Sequence, residues 1–149
     1  KTGDELLDLL VATLPKYPKM EHEIKVPLQT PNGEVIMLSK MDTFDPETIR
    51  FREYKTGRTK WTQKRAEKHL QLHHYQTTIW LFHKKFEPTT FLDWAETDYG
   101  DGGQVVLTGR VESFPVMIEM KEILSYMTLV SRVAQEIDAR YRQELSNLA

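Results

Sequence analysis

The chain has 149 residues, of which 40% are hydrophobic and 28% are charged, and its formal net charge is −2. This size and apolar content suit one globular domain, which we expect to span residues 1–149. Because the chain contains no cysteine, disulfides, cysteine-based zinc sites and iron–sulfur clusters are excluded.

The sequence contains neither an apolar run of about 18 residues nor the pattern of a secretory leader. We therefore expect a cytoplasmic protein without a membrane span. The chain begins at Lys1 rather than at Met, which fits the loss of an N-terminal segment.

Periodicity and turn signals predict eight elements along the chain. A helix over residues 4–14 precedes strands over 21–28 and 34–41, which a Pro-Asn-Gly turn joins. A strand over 48–55 and a helix over 63–83 follow. Strands over 89–96 and 104–112, joined by a glycine-rich loop, lead to a helix from 115 or 116 to 145. The order α-β-β-β-α-β-β-α is typical of an α/β or α+β sheet with packed helices.

Basic residues concentrate in the segment 50–68, which has eight Lys or Arg and only two acids, while the rest of the chain is net acidic. Such a local basic patch favours contact with phosphate groups. Charge alone fits an ordinary solvated strand end and helix face equally well.

Three charged residues near the third strand suggest a catalytic site. Glu53 and Lys55 are two residues apart on that strand and therefore point to the same face. If the second and third strands form a hairpin across the Asp45-Pro-Glu turn, Asp42 approaches Glu53. Two neighbouring carboxylates favour protonation unless a cation lies between them, and Mg²⁺ prefers such oxygen ligands. With Lys55 beside the metal, this set suits metal-assisted phosphodiester hydrolysis.

The following helix offers a matching surface. Lys64, Lys68, Gln71 and Tyr75 are spaced by four, three and four residues, so they share one helix face. This face is suited to phosphate contacts beside the end of the strand.

Three segments then carry a resemblance to a known family. Lys40-Met-Asp42 ends the second strand, Phe51-Arg-Glu-Tyr-Lys-Thr-Gly57 resembles a strand motif D/E-Y-K-T-G, and Gln71-Leu-His-His-Tyr75 resembles a helix motif Q-L-x-x-Y. Together, in this order, they resemble the PD-(D/E)XK nuclease superfamily, and specifically its RecB-like exonuclease branch. The segment 94–114 also looks like the ending of small phage-type members.

The resemblance implies a restriction-endonuclease-like, three-layer α/β core with a mixed central sheet flanked by helices. It implies a DNA exonuclease of phage or bacterial recombination or repair that uses Mg²⁺ or Mn²⁺. The roles it implies are Asp42, Glu53 and the Tyr54 carbonyl as metal ligands, Asp8 on the first helix as a further ligand, Lys55 as the catalytic lysine, and Gln71 and Tyr75 as residues that shape the site and touch DNA. Lys64, Lys68, Arg58 and Trp61 are further candidate DNA contacts. The first helix lacks the histidine that this branch often has there.

Each of these residues also has a plainer interpretation. Glu53 and Lys55 fit a surface cross-strand ion pair worth less than about 1 kcal/mol. Gln71 and Tyr75 fit ordinary helix residues, with Tyr75 as a core aromatic in the apolar stripe of its helix. His69 and His73 fit either a transition-metal pair or ordinary packing. Trp61 fits either base stacking or a structural role at the helix start. The competing functions are a non-catalytic module that binds nucleic acid with the nuclease fold, and an interaction protein for acidic partners.

Overall fold

The structure, a computed structural model, describes residues 8–9 and 12–148. Its elements are β1 (Lys19–Thr30), β2 (Gly33–Asp45), β3 (Arg50–Gly57), α1 (Gln63–Glu67), α2 (Leu70–His83), β4 (Thr89–Tyr99), β5 (Val105–Met117) and α3 (Met120–Asn147). Residues 8–9 and 12–13 are helical, as the first predicted helix requires, while 4–7 and 10–11 of that prediction lie outside the described residues. No helix in the described ranges has the length and apolar character needed to cross a membrane.

The five strands form one sheet in the order β1-β2-β3-β4-β5, with β3 at its centre. All neighbouring pairs are antiparallel except β3 and β4, which run parallel and are connected through α1 and α2. A parallel pair needs such a long crossover, whereas the tight turn that ends at Gly33 (φ 121°) joins antiparallel strands. The prediction of an α/β fold with a mixed sheet is confirmed.

The central strand β3 presents different chemistry on its two faces. Phe51 is fully buried and packs edge-on against Tyr75 of α2, with ring centroids 5.5 Å apart. On the opposite face, Arg52 forms a bidentate pair with the buried Asp93 of β4. Because side chains alternate along a strand, Glu53 and Lys55 lie on the same face as Phe51, toward α2.

The single helix predicted over residues 63–83 is wrong, because the chain breaks between α1 and α2. Lys68 ends the first helix, and His69 adopts an extended conformation (φ −75°, ψ 107°) before Leu70 begins the second. Neither glycine nor proline marks this break in the sequence. The side chain of His69 instead contacts the ring of Trp61 and the side chain of Gln71, which a continuous helix would not allow.

The predicted start of the last helix at residue 115 or 116 is also wrong. Pro115 lies in β5 opposite Phe91, and the helix begins only after Glu119. Proline is tolerated in β5 because this is an edge strand. Glu119 and Glu122 form a capping box that fixes the helix start.

Candidate active site

Asp42 and Glu53 lie where β2 and β3 separate. Paired residues of these strands run from Asp45–Arg50 to Thr43–Arg52, so one further step would set Asp42 opposite Glu53. The backbone pairing stops before that step, and the Oδ2 atom of Asp42 instead accepts a hydrogen bond from the Tyr54 amide at 2.7 Å. The carboxylate of Asp42 is thereby fixed beside the β3 backbone that carries Glu53.

Glu53 is a buried acid without full compensation. Its side chain is only 4% exposed, and its Oε2 has no hydrogen-bond partner among the described residues. Burial, together with the neighbouring Asp42 carboxyl group, raises the pKa of Glu53 to about 9, while the charge of Lys55 opposes the shift. A buried acceptor of this kind is costly unless a proton or a cation satisfies it.

The donor set of this pair fits a hard divalent cation, since it consists of two adjacent carboxylates, one of which has an unsatisfied buried oxygen. Within residues 8–9 and 12–148 no third acid or histidine completes a metal-binding group. Asp8 is exposed and does not join Asp42 and Glu53. The structure therefore brings together two of the three side-chain ligands that the resemblance implies.

Lys55 belongs to a hydrogen-bonded chain that leads from β3 to α2. Its ammonium group donates to Gln71 Oε1 at 2.7 Å, and Gln71 Nε2 donates to the Tyr75 hydroxyl at 2.7 Å. Burial, together with the charge of Glu53, raises the pKa of Tyr75, so this phenol stays protonated. The residues of the predicted strand and helix motifs thus meet at one place.

Beside Lys55 opens a cleft of about 730 Å³. Both Lys64 and Lys68, predicted from their helical spacing, contribute to it. Arg65 contributes as well, although it was not among the predicted contacts. Among the described residues no acid lines the cleft, and the lining residues are Lys55, Thr56, Trp61, Thr62, Lys64, Arg65, Lys68 and His69. The helix face predicted from the sequence assumed one continuous helix and did not include the break after α1. For this reason Arg65 and His69 were not predicted to line the cleft.

Two residues predicted to contact DNA, Arg58 and Trp61, have interaction partners within the protein. Arg58 forms an ion pair with Asp98 at 3.1 Å and lies over the ring of Tyr99, in a separate pocket at the end of the sheet. Trp61 is only 7% exposed, and the guanidinium of Arg65 lies 3.8 Å from its ring centre. This packing favours the structural role of Trp61, while its place in the cleft lining leaves the stacking role a prediction.

The alternative of a His69–His73 metal pair finds no geometry to support it. His69 Nε2 lies 2.9 Å from Gln71 Oε1, whereas His73 Nε2 lies 3.2 Å from the Glu67 carbonyl oxygen. In the described part of the chain these rings belong to no cluster of three potential ligands.

Comparisons with known proteins do not assign this chain to a family. No protein family matches the chain, and no curated protein matches it. One solved structure with a partial likeness is the crystal structure of SSO0001, with 16% sequence identity and a TM-score of 0.45. The likeness covers 79% of this chain and 48% of that one, so the chain spans about half the length of this neighbour.

Proposed function

We propose that this chain is a Mg²⁺- or Mn²⁺-dependent DNA nuclease of exonuclease type, with the restriction-endonuclease-like core of the PD-(D/E)XK superfamily. Its place would be phage or bacterial DNA recombination or repair. The observation that carries the proposal is the buried Oε2 of Glu53, which has no hydrogen-bond partner within the described part of the chain. It lies beside Asp42 on the β3 face that also presents Lys55.

Asp42 and Glu53 are the residues that would hold the cation, with the Tyr54 carbonyl as a further proposed ligand. A bound Mg²⁺ or Mn²⁺ would polarise the phosphate and lower the pKa of the attacking water. Glu53 would have to lose its proton for the cation to bind, because carboxylate ligands must be ionised.

The remaining residues have roles that follow from their charge and contacts. Lys55 would stabilise the negative charge that develops on the phosphate, while Gln71 holds its ammonium group in position. The cleft that contains Lys64, Arg65 and Lys68 would bind the DNA backbone. Phosphate contacts position a substrate without reading its bases, so we expect little sequence preference.

One observation favours a second candidate, a module that binds nucleic acid without cleaving it. The carboxylate pair gains no third ligand from the described residues, including Asp8. Such a module would use the same basic cleft and would tolerate the loss of Asp42.

The experiment is digestion of end-labelled single- and double-stranded DNA with Mg²⁺ or Mn²⁺, with an EDTA control. The nuclease proposal predicts release of labelled nucleotides, which EDTA abolishes. Asp42→Asn should stop cleavage because the negative charge of the side chain is lost. The new amide oxygen can still accept the Tyr54 N–H, so that hydrogen bond is kept. Asp101→Asn, which changes an exposed carboxylate in the β4–β5 loop, is the matched control and should cleave normally.

The two candidates differ in one clear outcome. Stable binding to DNA without cleavage in either metal would support the non-catalytic module. Absence of both binding and cleavage would reject the two together.

A further inference from the structure

The imidazole of His69 is fixed at the junction of α1 and α2, next to the proposed site. Its backbone is extended, so the residue interrupts the helical path, yet its side chain caps no helix amide. The ring meets Trp61 edge-on, with centroids 5.2 Å apart and planes at 76°. It points Nε2 at the side chain of Gln71, at 2.9 Å.

The hydrogen-bond chemistry defines which atom donates. Lys55 carries only donors, so the Gln71 atom that it meets must be the amide oxygen. The same oxygen faces His69 Nε2, which must therefore carry the hydrogen in this bond. With two donors on one oxygen, the amide of Gln71 is held in the orientation that also lets its nitrogen donate to Tyr75.

The surroundings of His69 favour its neutral form and pack against its ring. Burial lowers the pKa of His69, as do the charges of Lys55 and Arg65, while the bond to Gln71 opposes them. Trp61, against which the ring rests, is itself buried and covered by Arg65. A neutral imidazole supplies its hydrogen bond without adding a second positive charge beside Lys55.

We propose that His69 is a positioning residue for Lys55, acting through the amide of Gln71. This inference rests on the proposed nuclease function. It adds to the site a residue that lies outside both the E-Y-K-T-G strand and the Q-L-x-x-Y helix segments. Its effect should be on the catalytic step, because the amide orientation controls the ammonium group rather than the phosphate-binding lysines.

The test compares three single variants in single-turnover DNA cleavage. His69→Phe keeps a ring against Trp61 but removes the donor, and should slow cleavage about five- to tenfold, the effect of one lost neutral hydrogen bond. His69→Gln, which restores an N–H at similar reach, should recover most of the rate. His73→Phe, which changes a half-buried ring of α2 that contacts the Glu67 carbonyl oxygen rather than Gln71, should cleave like the wild type. Because His69 also lines the cleft, affinity for DNA, measured without metal, should change much less than the cleavage rate in these variants.

A double variant separates positioning from general damage to the fold. If His69 acts only through Lys55, adding His69→Phe to Lys55→Ala should cause no further loss of rate. A full additional loss would assign His69 a separate structural role and overturn the inference.

Two further outcomes are distinct. If the wild type cleaves DNA and His69→Phe cleaves it at the same rate, this inference alone is overturned. Failure of the wild type to cleave in Mg²⁺ or Mn²⁺ would overturn the proposed function and this inference with it.

Discussion

At the scale of single residues, Glu53 is the group whose state depends most on its surroundings. A carboxyl group that is 4% exposed and close to another acid favours its protonated form when no metal is present. The same environment becomes favourable to the carboxylate when a cation is bound. On the proposed function, Glu53 would therefore link protonation, metal binding and stability in one side chain.

This linkage predicts a pH dependence of stability in metal-free protein. The pKa of Glu53 is raised from 4.5 to about 9 on folding, so between these values the native state holds a proton that the unfolded chain has lost. The free energy of unfolding should then fall as pH rises from about 4.5 to about 9, by at most about 1.4 kcal/mol per pH unit. Urea unfolding in EDTA at a series of pH values measures this slope.

Glu53→Gln is the control for that slope, because the amide does not titrate. Its stability should depend less steeply on pH than that of the wild type over the same range. Equal slopes in the two proteins would mean that Glu53 is already ionised in the native state. Added Mg²⁺ should stabilise the wild type more at high pH, since binding releases the proton.

At the scale of elements, the short helix α1 and the turn after it bring the basic side chains to the end of β3. Thr62 caps α1 by accepting the Arg65 amide at 3.1 Å, and α1 contacts β5. Lys64 and Lys68 are exposed on this helix and at its end, and no acid of residues 8–9 or 12–148 lines the cleft there. These side chains form a positively charged wall next to Lys55.

If DNA binds along this wall, affinity should depend on salt through these lysines. Lys68→Ala should reduce the slope of log affinity against log salt by roughly 0.9, the value for one phosphate contact on duplex DNA. Binding titrations in EDTA at several salt concentrations measure the slope without cleavage. Lys25→Ala, which removes an exposed lysine from β1, should leave it unchanged. A slope unaltered by Lys68→Ala would place the DNA on another surface.

The elements also show what the sequence can and cannot predict. The alternation of apolar and polar residues, together with turn residues, predicts the position of every strand. These signals are local, as in the Thr30–Gly33 turn and the glycine-rich loop after Tyr99. The same-face rule brings Glu53 and Lys55 together for the same reason. The break at His69 depends on contacts with Trp61 and Gln71, and Pro115 depends on β5 being an edge strand. Such tertiary effects leave no local signal.

At the scale of the whole molecule, stability and the site share the central strands. On one face of β3 and β4, Asp93 is fully buried and accepts two hydrogen bonds from Arg52, at 2.7 and 2.9 Å. Ser113 of β5 donates to the same carboxylate at 2.6 Å. This pair joins three neighbouring strands directly behind the face that carries Glu53 and Lys55.

Asp93→Ala should therefore destabilise the fold strongly. It would leave the guanidinium of Arg52 without its partner, and breaking a buried pair from one side costs about 3–5 kcal/mol. Urea unfolding of the variant gives the value directly. The matched control is Asp138→Ala, which removes an exposed helical pair with Arg142 and should cost less than about 1 kcal/mol. A similarly small loss for Asp93→Ala would show that the buried pair is not a main stabiliser of the sheet.

The sign of the charge also differs between the site and the rest of the molecule. The net charge is −2, yet Lys and Arg are the charged residue types among the described residues that line the cleft beside Lys55. On the proposed function, such a field would attract the DNA backbone to this position rather than to the surface at large. The position at which a phosphate would arrive is next to the ammonium group of Lys55.

Cleavage of end-labelled DNA by Lys55→Ala, compared with the wild type in Mg²⁺, tests the proposed catalytic role most directly. The variant keeps Asp42 and Glu53, so metal-induced stabilisation should remain and show that the site is intact. Loss of one group that stabilises developing charge should slow cleavage by roughly 10²- to 10³-fold. Cleavage by Lys55→Ala at nearly the wild-type rate would make this lysine a structural partner of Gln71 and contradict the proposed nuclease site.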